Sequence, residues 1–351
     1  MEVIYVGITS GTSGARLQAL RDLGNDVQVF DYTKYIDSKT QFGRLLGYVL
    51  FSGTGVRRAN ADLVCLARER RADVIWVDKA DWLYPGTMAA LRKMGNYLVH
   101  HVTDALFPSS VFMKIQRRYL VSNSRFFHTI FTTNRHDWEI LREEFGDVLV
   151  RTKLGYDHRR CKPLNGGSKV RDHFESDVVF VGHREPRTEK GILALIAAGV
   201  RIRVQGVGWS GTKMPQLLRR SCDPLTDDEY VRVLQTAKIA LGYVSQWNYN
   251  ETAGRSFEIP ASGAFLLGIR TAEHQESYEE GVEAEFFGSE AELCEKTVRY
   301  LADAEAREKI AFAGAKRCIT SGYSYHEITT KDWSIVAERL AARRSSNGAP
   351  V

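Results

Sequence analysis

The residues with the clearest chemical potential lie between Tyr249 and Leu267, in the stretch YNETAGRSFEIPASGAFLL. Gly254 lets the backbone bend close to a ligand, and Ser256 reads as the N-cap of a short helix. The first-turn amides and positive dipole end of such a helix suit an anion, with Arg255 beside them for a phosphate. Glu258, two positions past the cap, faces the same opening, where a carboxylate can accept hydrogen bonds from a ribose diol. Pro260 is tolerable if it still lies in the first turn. Gly263 fits the helix exit, and Phe265-Leu266-Leu267 reads as the next buried strand. The chemistry implied is nucleoside-diphosphate binding; the plainer alternative is a carboxylate complementing the dipole and a solvated arginine.

Two further groups carry charge at strand ends. Arg184, Arg187 and Lys190 follow the strand DVVFVG (177–182) and sit at a helix start. Three cations there oppose the helix dipole, a conflict that an anionic ligand would relieve. Asp78 follows the strand DVIWV (73–77), and His100, His101 and Asp104 end a strand over 97–102. Strand alternation puts the two histidines on opposite faces, so at most one faces a substrate. Asp104 and one of the two histidines are thus expected at the rim of the cleft, and for an inverting reaction Asp104 or His101 is taken as the general base. His100-His101 has no partner pattern for zinc, and no metal site is expected.

The elements that must hold these groups repeat. The chain opens with a strand (Glu2 to Gly7), the loop TSGTSG (Thr9 to Gly14), a helix over 15–23, Gly24 and a strand over 27–32. Strand 177–182, a charged turn, a helix over 191–198, Gly199 and a strand over 200–206 follow the same order. Each is a βαβ start with its polar loop at the carboxyl end of the first strand, where open α/β sheets bind ligands. The glycines at 7, 11 and 14 do not space as G-x-G-x-x-G, which argues against a nicotinamide site even with Asp31 near the ribose position. The expected fold class is α/β, with two doubly wound Rossmann-like domains facing across a cleft. Their expected limits are 1–160, a polar linker at 161–175 and 176–328; then a helix over 329–344 crosses back to the first domain, and 345–351 is a disordered tail.

Composition narrows the class. At 351 residues, 44% hydrophobic and 26% charged, the chain is long enough for two cores and ordinary for a soluble protein. Five scattered cysteines point to a reduced, cytoplasmic setting without a disulfide framework. The first residues enter a strand directly, without the basic and apolar regions of a secretion signal. A net charge of +5 suits an anionic substrate. Lysines and arginines are spread along the chain without a stacking motif, so no nucleic-acid polymer is expected. The basic amphipathic stretch 111–120 reads as a solvated helix face or, more sharply, as a weak peripheral membrane contact.

The segment RSFEIPASGAFLL resembles the sugar-nucleotide signature of two-domain (GT-B) glycosyltransferases, and within them the spore-maturation, CgeB-like group with its R-x-FE-x-P-x-x-G-x-x-L pattern. The resemblance spans the second domain well and the first in outline. It implies a transferase that moves a sugar from a nucleotide-diphosphate donor to a saccharide, glycan or other acceptor, without metal or cofactor. It implies donor binding by Gly182, Arg187, Lys190, Gly208, Trp209, Gly254, Arg255, Ser256 and Glu258. Here Gly206 to Trp209 resembles the family's G-x-G-W turn, near the base or sugar. Gly11, Ser13 and Asp78 would line the acceptor side. Many retaining relatives carry another Glu eight positions before the first, where this chain has Asn250 followed by Glu251. Those two would position the sugar in a retaining reaction, and Asp104 or His101 would act as base in an inverting one. The rival readings are a nucleotide-sugar epimerase of the same shape and a non-catalytic sugar or nucleotide binder.

Overall fold

The structure is a computed structural model that describes residues 1–36, 40, 43, 45–78, 81–106, 114–115, 118–163, 176–209 and 225–347. Half of the 111–120 stretch, the linker from residue 164 and the expected tail from residue 348 lie outside the described residues, whereas 345–347, expected in the tail, continue the last helix. The chain forms two compact units: Met1–Lys153 with Trp247–Asn250 and Tyr325–Val351, and Leu154–Gln246 with Glu251–Ser324.

Unit 1 is built on β1 (Glu2–Val6), α1 (Gly11–Asp22), β2 (Asp26–Phe30), α2 (Thr54–Arg70), β3 (Val74–Val77), α3 (Pro85–Lys93), β4 (Tyr97–Val102), α4 (Arg118–Asn123), β5 (Thr129–Thr132), α5 (Arg135–Phe145) and β6 (Leu149–Arg151). Its six-stranded sheet has the order β2-β1-β3-β4-β5-β6, parallel throughout. Residues alternate across the pleat, so each strand feeds two cores. Ile4 and Val6 pack with Ile75, Val77, Leu63 and Trp82, whereas Val3 and Tyr5 pack with Trp76, Val99 and Phe131. The last helix, beginning at Tyr325, belongs to this unit and closes the second core with Trp333, Val336 and Leu340. It starts ahead of the expected 329, because Tyr325 is itself fully buried and takes part in the packing. α1 likewise begins four residues before the expected Ala15, since Gly11 adopts φ +58 at the helix start and shortens the loop.

Unit 2 continues with β7 (Ser176–Val181), α6 (Pro186–Ala197), β8 (Ile202–Gln205), α7 (Asp227–Thr236), β9 (Ala237–Gly242), α8 (Gly254–Ala261), β10 (Leu266–Ile269), α9 (Ala272–Ser277), β11 (Glu285–Phe287), α10 (Glu290–Ala302) and α11 (Ala304–Thr320), before α12 (Tyr325–Asn347) returns to unit 1. Its parallel sheet has the order β11-β10-β9-β7-β8. One face packs Val179, Ala240 and Leu266 under Phe257 and Tyr278; the other packs Phe180, Ile239 and Leu267 under Ile192 and Leu293.

Both sheets are doubly wound. In unit 1 the strand order reverses between β1 and β3, and in unit 2 between β7 and β9. The crevice outside the carboxyl ends of such a strand pair is where open α/β sheets take ligands.

Candidate functional site

At the reversal point of unit 2, β7 runs out into Gly182 and β9 into Tyr243 and Val244. Two arginines converge there. Arg255, in the first turn of α8, donates from Nη1 to the Tyr243 carbonyl at 2.7 Å. Arg187, in the first turn of α6, donates from Nη2 to the adjacent Val244 carbonyl at 2.9 Å. The Arg255 guanidinium also lies over the Phe180 ring, 5.1 Å from its centroid, a cation–π contact that fixes its plane. Glycine leaves the room that the guanidinium occupies, because a Cβ at position 182 would stand 2.4 Å from Arg255 Nη2.

A second tier holds Gly182 in place. Its carbonyl accepts from Trp209 Nε1 at 2.8 Å, and a Cβ on Gly206 would come within 2.4 Å of that same carbonyl oxygen. Gly206 (φ +125) and Gly208 (φ +88) both occupy backbone regions that favour glycine. Within the Gly206-to-Trp209 turn, Trp209 is fully buried and braces the Gly182 loop from behind, so its side chain is not open to a donor. Lys190 is also placed differently from expectation. It pairs with Glu290 at 3.1 Å, and Arg184 pairs with Glu189 at 2.6 Å, so the charge conflict at the α6 start is relieved largely by carboxylates of the protein. Arg187 alone of the three bonds a backbone carbonyl rather than a carboxylate, a bond that leaves its positive charge uncompensated.

The start of α8 also differs in detail. The helix begins at Gly254 with Ala253 as cap residue, and Ser256 is its third position. The Ser256 side chain is buried and reaches back to accept from the Ala253 amide at 3.0 Å. It also meets His274 Nε2 at 2.7 Å, while His274 Nδ1 lies 2.7 Å from the Ile269 carbonyl. A carbonyl can only accept, so Nδ1 carries the proton and Nε2 accepts from the serine hydroxyl. Burial lowers the His274 pKa to about 4, keeping the ring neutral as this chain of bonds requires. Ser256 is thus committed to holding the helix start. Pro260 lies in the last turn of α8, beyond the first turn expected for it, and cannot donate to the Ser256 carbonyl. Tyr278 Oη donates to that carbonyl instead, at 2.9 Å.

Glu258 stands one turn along α8 from Gly254, whose Cα hydrogen faces its carboxyl: a Cβ there would lie 3.5 Å from all three carboxyl atoms. Tyr230, on α7, donates to Glu258 Oε2 at 2.6 Å and orients the group. Burial pushes the Glu258 pKa up, against the opposing pull of the Tyr230 hydroxyl and Arg255. Sequence reasoning missed Tyr230 and His274, which come from separate elements and carry no local pattern that ties them to α8. Glu251 was expected near the sugar; its carboxylate accepts from the Glu273 amide at 3.0 Å and its carbonyl accepts from the Thr271 hydroxyl at 2.6 Å, anchoring the start of α9.

The reversal point of unit 1 is filled by the chain itself. Arg16 Nε and Nη2 each donate to Asp78 at 2.8 Å, with both side chains buried. Burial raises the Asp78 pKa, but the Arg16 guanidinium outweighs it and holds the carboxyl at about 2. Asp78 is therefore a structural counter-ion and not the open acceptor-side carboxylate expected of it. Ser13 is likewise buried, its Oγ 2.9 Å from Tyr5 Oη, while Gly11 remains exposed at the helix start. His101 is 1% exposed, stacked near Trp76 and set 4.0 Å from Asp78 and 3.9 Å from Asp332. Burial, reinforced by Arg16, drives its pKa well below the usual histidine value. His101 is sealed in the core and withdraws as a candidate base. Asp104 sits in the loop after β4, half-buried, and accepts from Asn248 Nδ2 at 3.2 Å. Asn250 Oδ1 accepts from Asn134 Nδ2 at 2.9 Å, in the same unit.

The family model described as glycosyl transferase-like matches residues 187–331. The match begins at Arg187 and takes in every residue of the α8 cluster. Solved structures extend the likeness over nearly the whole chain as a fold. Alr3699/HepE from Anabaena, in complex with UDP and glucose, superposes with a TM-score of 0.66 at 17% identity, over 97% of this chain and 100% of that one. Sucrose-phosphate synthase from Thermosynechococcus elongatus gives 0.67 at 14% identity, again over 97% and 100%. A UDP-N-acetylglucosamine 2-epimerase gives 0.56 at 12% identity, over 100% and 98%. The fold is that of the GT-B glycosyltransferases. No curated protein matches the sequence significantly. Among the described residues, no helix is long and apolar enough to cross a membrane.

Proposed function

We propose that this protein transfers a sugar from a nucleoside-diphosphate donor to an acceptor hydroxyl, and that the donor binds at the reversal point of unit 2. The observation that carries the reading is the pair of guanidiniums, Arg187 and Arg255, seated on consecutive carbonyls beside Gly182, both arginines lying in the stretch that is similar to the glycosyl transferase-like family. Two fixed cations at a crevice suit a diphosphate, and Glu258 behind Gly254 suits the ribose diol. In the transfer, the acceptor oxygen bonds to the anomeric carbon and the bond to the diphosphate breaks. The nucleoside diphosphate leaves with the electron pair, and Arg187 and Arg255 stabilise the charge that develops on it. If the reaction inverts, Asp104 receives the acceptor proton; if it retains, the proton passes to the departing diphosphate, and Asn250 or Glu251 helps position the sugar.

The fold neighbour crystallised with UDP and glucose supports a uridine donor as the first to try. The CgeB-like assignment rests on the R-x-FE-x-P pattern at Arg255 to Pro260. A cytoplasmic setting is supported by the cysteines, of which Cys65, Cys161, Cys294 and Cys318 are free. We further propose that the two arginines make a metal unnecessary. Transfer should persist after dialysis against EDTA, and activity restored only by a divalent cation would overturn this point.

Thermal shift with UDP-, GDP-, dTDP- and CDP-sugars tests the donor site. At least one should raise the melting temperature of the wild type and leave Glu258→Ala unmoved. An equal shift in the variant would reject Glu258 as a donor contact, and no shift with any sugar nucleotide would reject the site. Release of nucleoside diphosphate without acceptor, by slow hydrolysis, would separate a transferase from a binding module. Conversion of the donor to its epimer, with no free diphosphate, would favour the epimerase reading.

A further inference from the structure

Glycosyl transfer makes no use of a cavity of about 430 Å³ in unit 2. It opens at the amino-terminal edge of the sheet, where Ala237 and Lys238 begin β9 and Ala264 and Phe265 lead into β10. The arginine pair lies at the opposite, carboxyl-terminal edge. The cavity's volume falls in the range of small-ligand sites, roughly 300–1,000 Å³. α11 supplies its other wall, with Ala311 and Ala315 giving it depth. Phe312 and Ile319, seven residues apart on one face of α11, are 75% and 61% exposed at its lining.

The lining also contains cationic groups in an unusual condition. Arg307 is 5% exposed, and its side chain donates to the Tyr300 carbonyl at 2.5 Å. Among the described residues, no carboxylate lies within ion-pair distance of Arg307 or of Lys316, while Lys238 is paired with Asp177 at 2.7 Å. A buried guanidinium without an ion-pair partner is costly, and burial lowers the Arg307 pKa against the more distant pull of Glu308, Asp303 and Asp177. Glu308 also lines the cavity, so with Lys238 neutralised by Asp177 two cations face one carboxylate there. An apolar cavity with an unpaired buried arginine is complementary to a molecule with an apolar chain and one anionic end. A carboxylate matches the guanidinium fork in a bidentate way.

We propose that this cavity binds a single-chain fatty carboxylate, its chain against Ala311, Ala315 and Phe265 and its head group toward Arg307 and Lys316. The site is separate from the donor crevice and does not depend on it. Titration of the full-length protein with cis-parinarate, a fluorescent fatty carboxylate, reads the binding directly. The expected result is saturable fluorescence at one probe per chain, displaced by palmitate. Methyl palmitate, which lacks the charge, should displace it about tenfold less well. Ala315→Phe should abolish saturable binding with an unchanged circular dichroism spectrum. Lys316→Glu, an exposed substitution that leaves the core intact, should weaken binding several-fold and serves as the independent variant if Ala315→Phe does not fold. Absence of saturable binding, equal displacement by the methyl ester, or full binding by Lys316→Glu would each overturn the proposal. So would sedimentation with phosphatidylglycerol vesicles without binding of the monomeric probe, which would indicate a lipid surface as the partner instead.

Discussion

Gly182 shows how much a missing side chain can decide. The Arg255 guanidinium occupies the space a Cβ would take, between the Phe180 ring and the end of β7. In Gly182→Ala the guanidinium is the flexible partner and must swing away, so the fold should survive while the cation is misplaced. Donor affinity is expected to fall by about tenfold, with the melting temperature of the free protein nearly unchanged. Isothermal titration beside a melting curve checks both halves; wild-type affinity would mean that the position of Arg255 is immaterial to donor binding. Glu258 is tuned in a similarly indirect way. Tyr230→Phe removes its 2.6 Å donor and should weaken donor binding less than Glu258→Ala does, because the carboxylate stays in place but loses its orientation. A loss equal to that of Glu258→Ala would make the tyrosine a direct donor contact.

At the scale of the element, α8 is a short helix stabilised mostly from outside itself. Its first turn is held by Ser256 and His274, and its proline gap is filled by Tyr278. The hydroxyl of Tyr278 is 3.2 Å from Cys318 Sγ as well, which ties α8 to α11 through one side chain. Tyr278→Phe leaves the Ser256 carbonyl buried without a donor, a cost of about 1–3 kcal/mol. Urea unfolding should show a lower midpoint at an unchanged slope. A midpoint equal to the wild type would mean that another group satisfies the carbonyl. The two cations at the α8 and α6 starts illustrate a general point about such termini. Helix dipoles disfavour arginine there, so each arginine is fixed by a backbone carbonyl from β9's exit.

At the scale of the whole molecule, the chain's two ends share unit 1. α12 packs against the sheet that β1 begins, and Asp332 on α12 sits in that core. Thr152 donates to both of its oxygens at 3.0 Å, but burial dominates and raises its pKa to about 7. The group therefore binds its proton more tightly in the folded protein than in the unfolded chain. Its contribution to stability is fully present at acidic pH, below its ordinary value of 3.8, and is lost as pH rises through 7. Asp332→Asn cannot ionise and should melt higher than the wild type at pH 8, with the advantage shrinking at pH 5. A difference independent of pH would assign the effect to packing alone. His101, pressed between Asp78 and Asp332, does not reverse this sign, since burial keeps its ring neutral.

Some of this was legible in the residues alone. The apolar runs, the glycines that close helices and the repeated order of strand, polar loop and helix determined two parallel α/β units, because these are local properties of the chain. RSFEIPASGAFLL pointed to a helix start with a cation and a carboxylate, and Arg255 and Glu258 do stand on the first turns of α8. Burial and partnership were not legible, because they depend on which distant segments come together. Asp78 and His101 looked like rim residues from their strand ends, yet Arg16 from α1 claims the first and Asp332 from α12 helps enclose the second. Trp209, expected among the donor-binding residues, is a buried brace whose indole bonds the Gly182 carbonyl. Strand order is the same kind of fact. No residue announces that β9 lies beside β7, and it is that adjacency, made by packing across the sheet, that brings Gly182, Arg187 and Arg255 to one crevice.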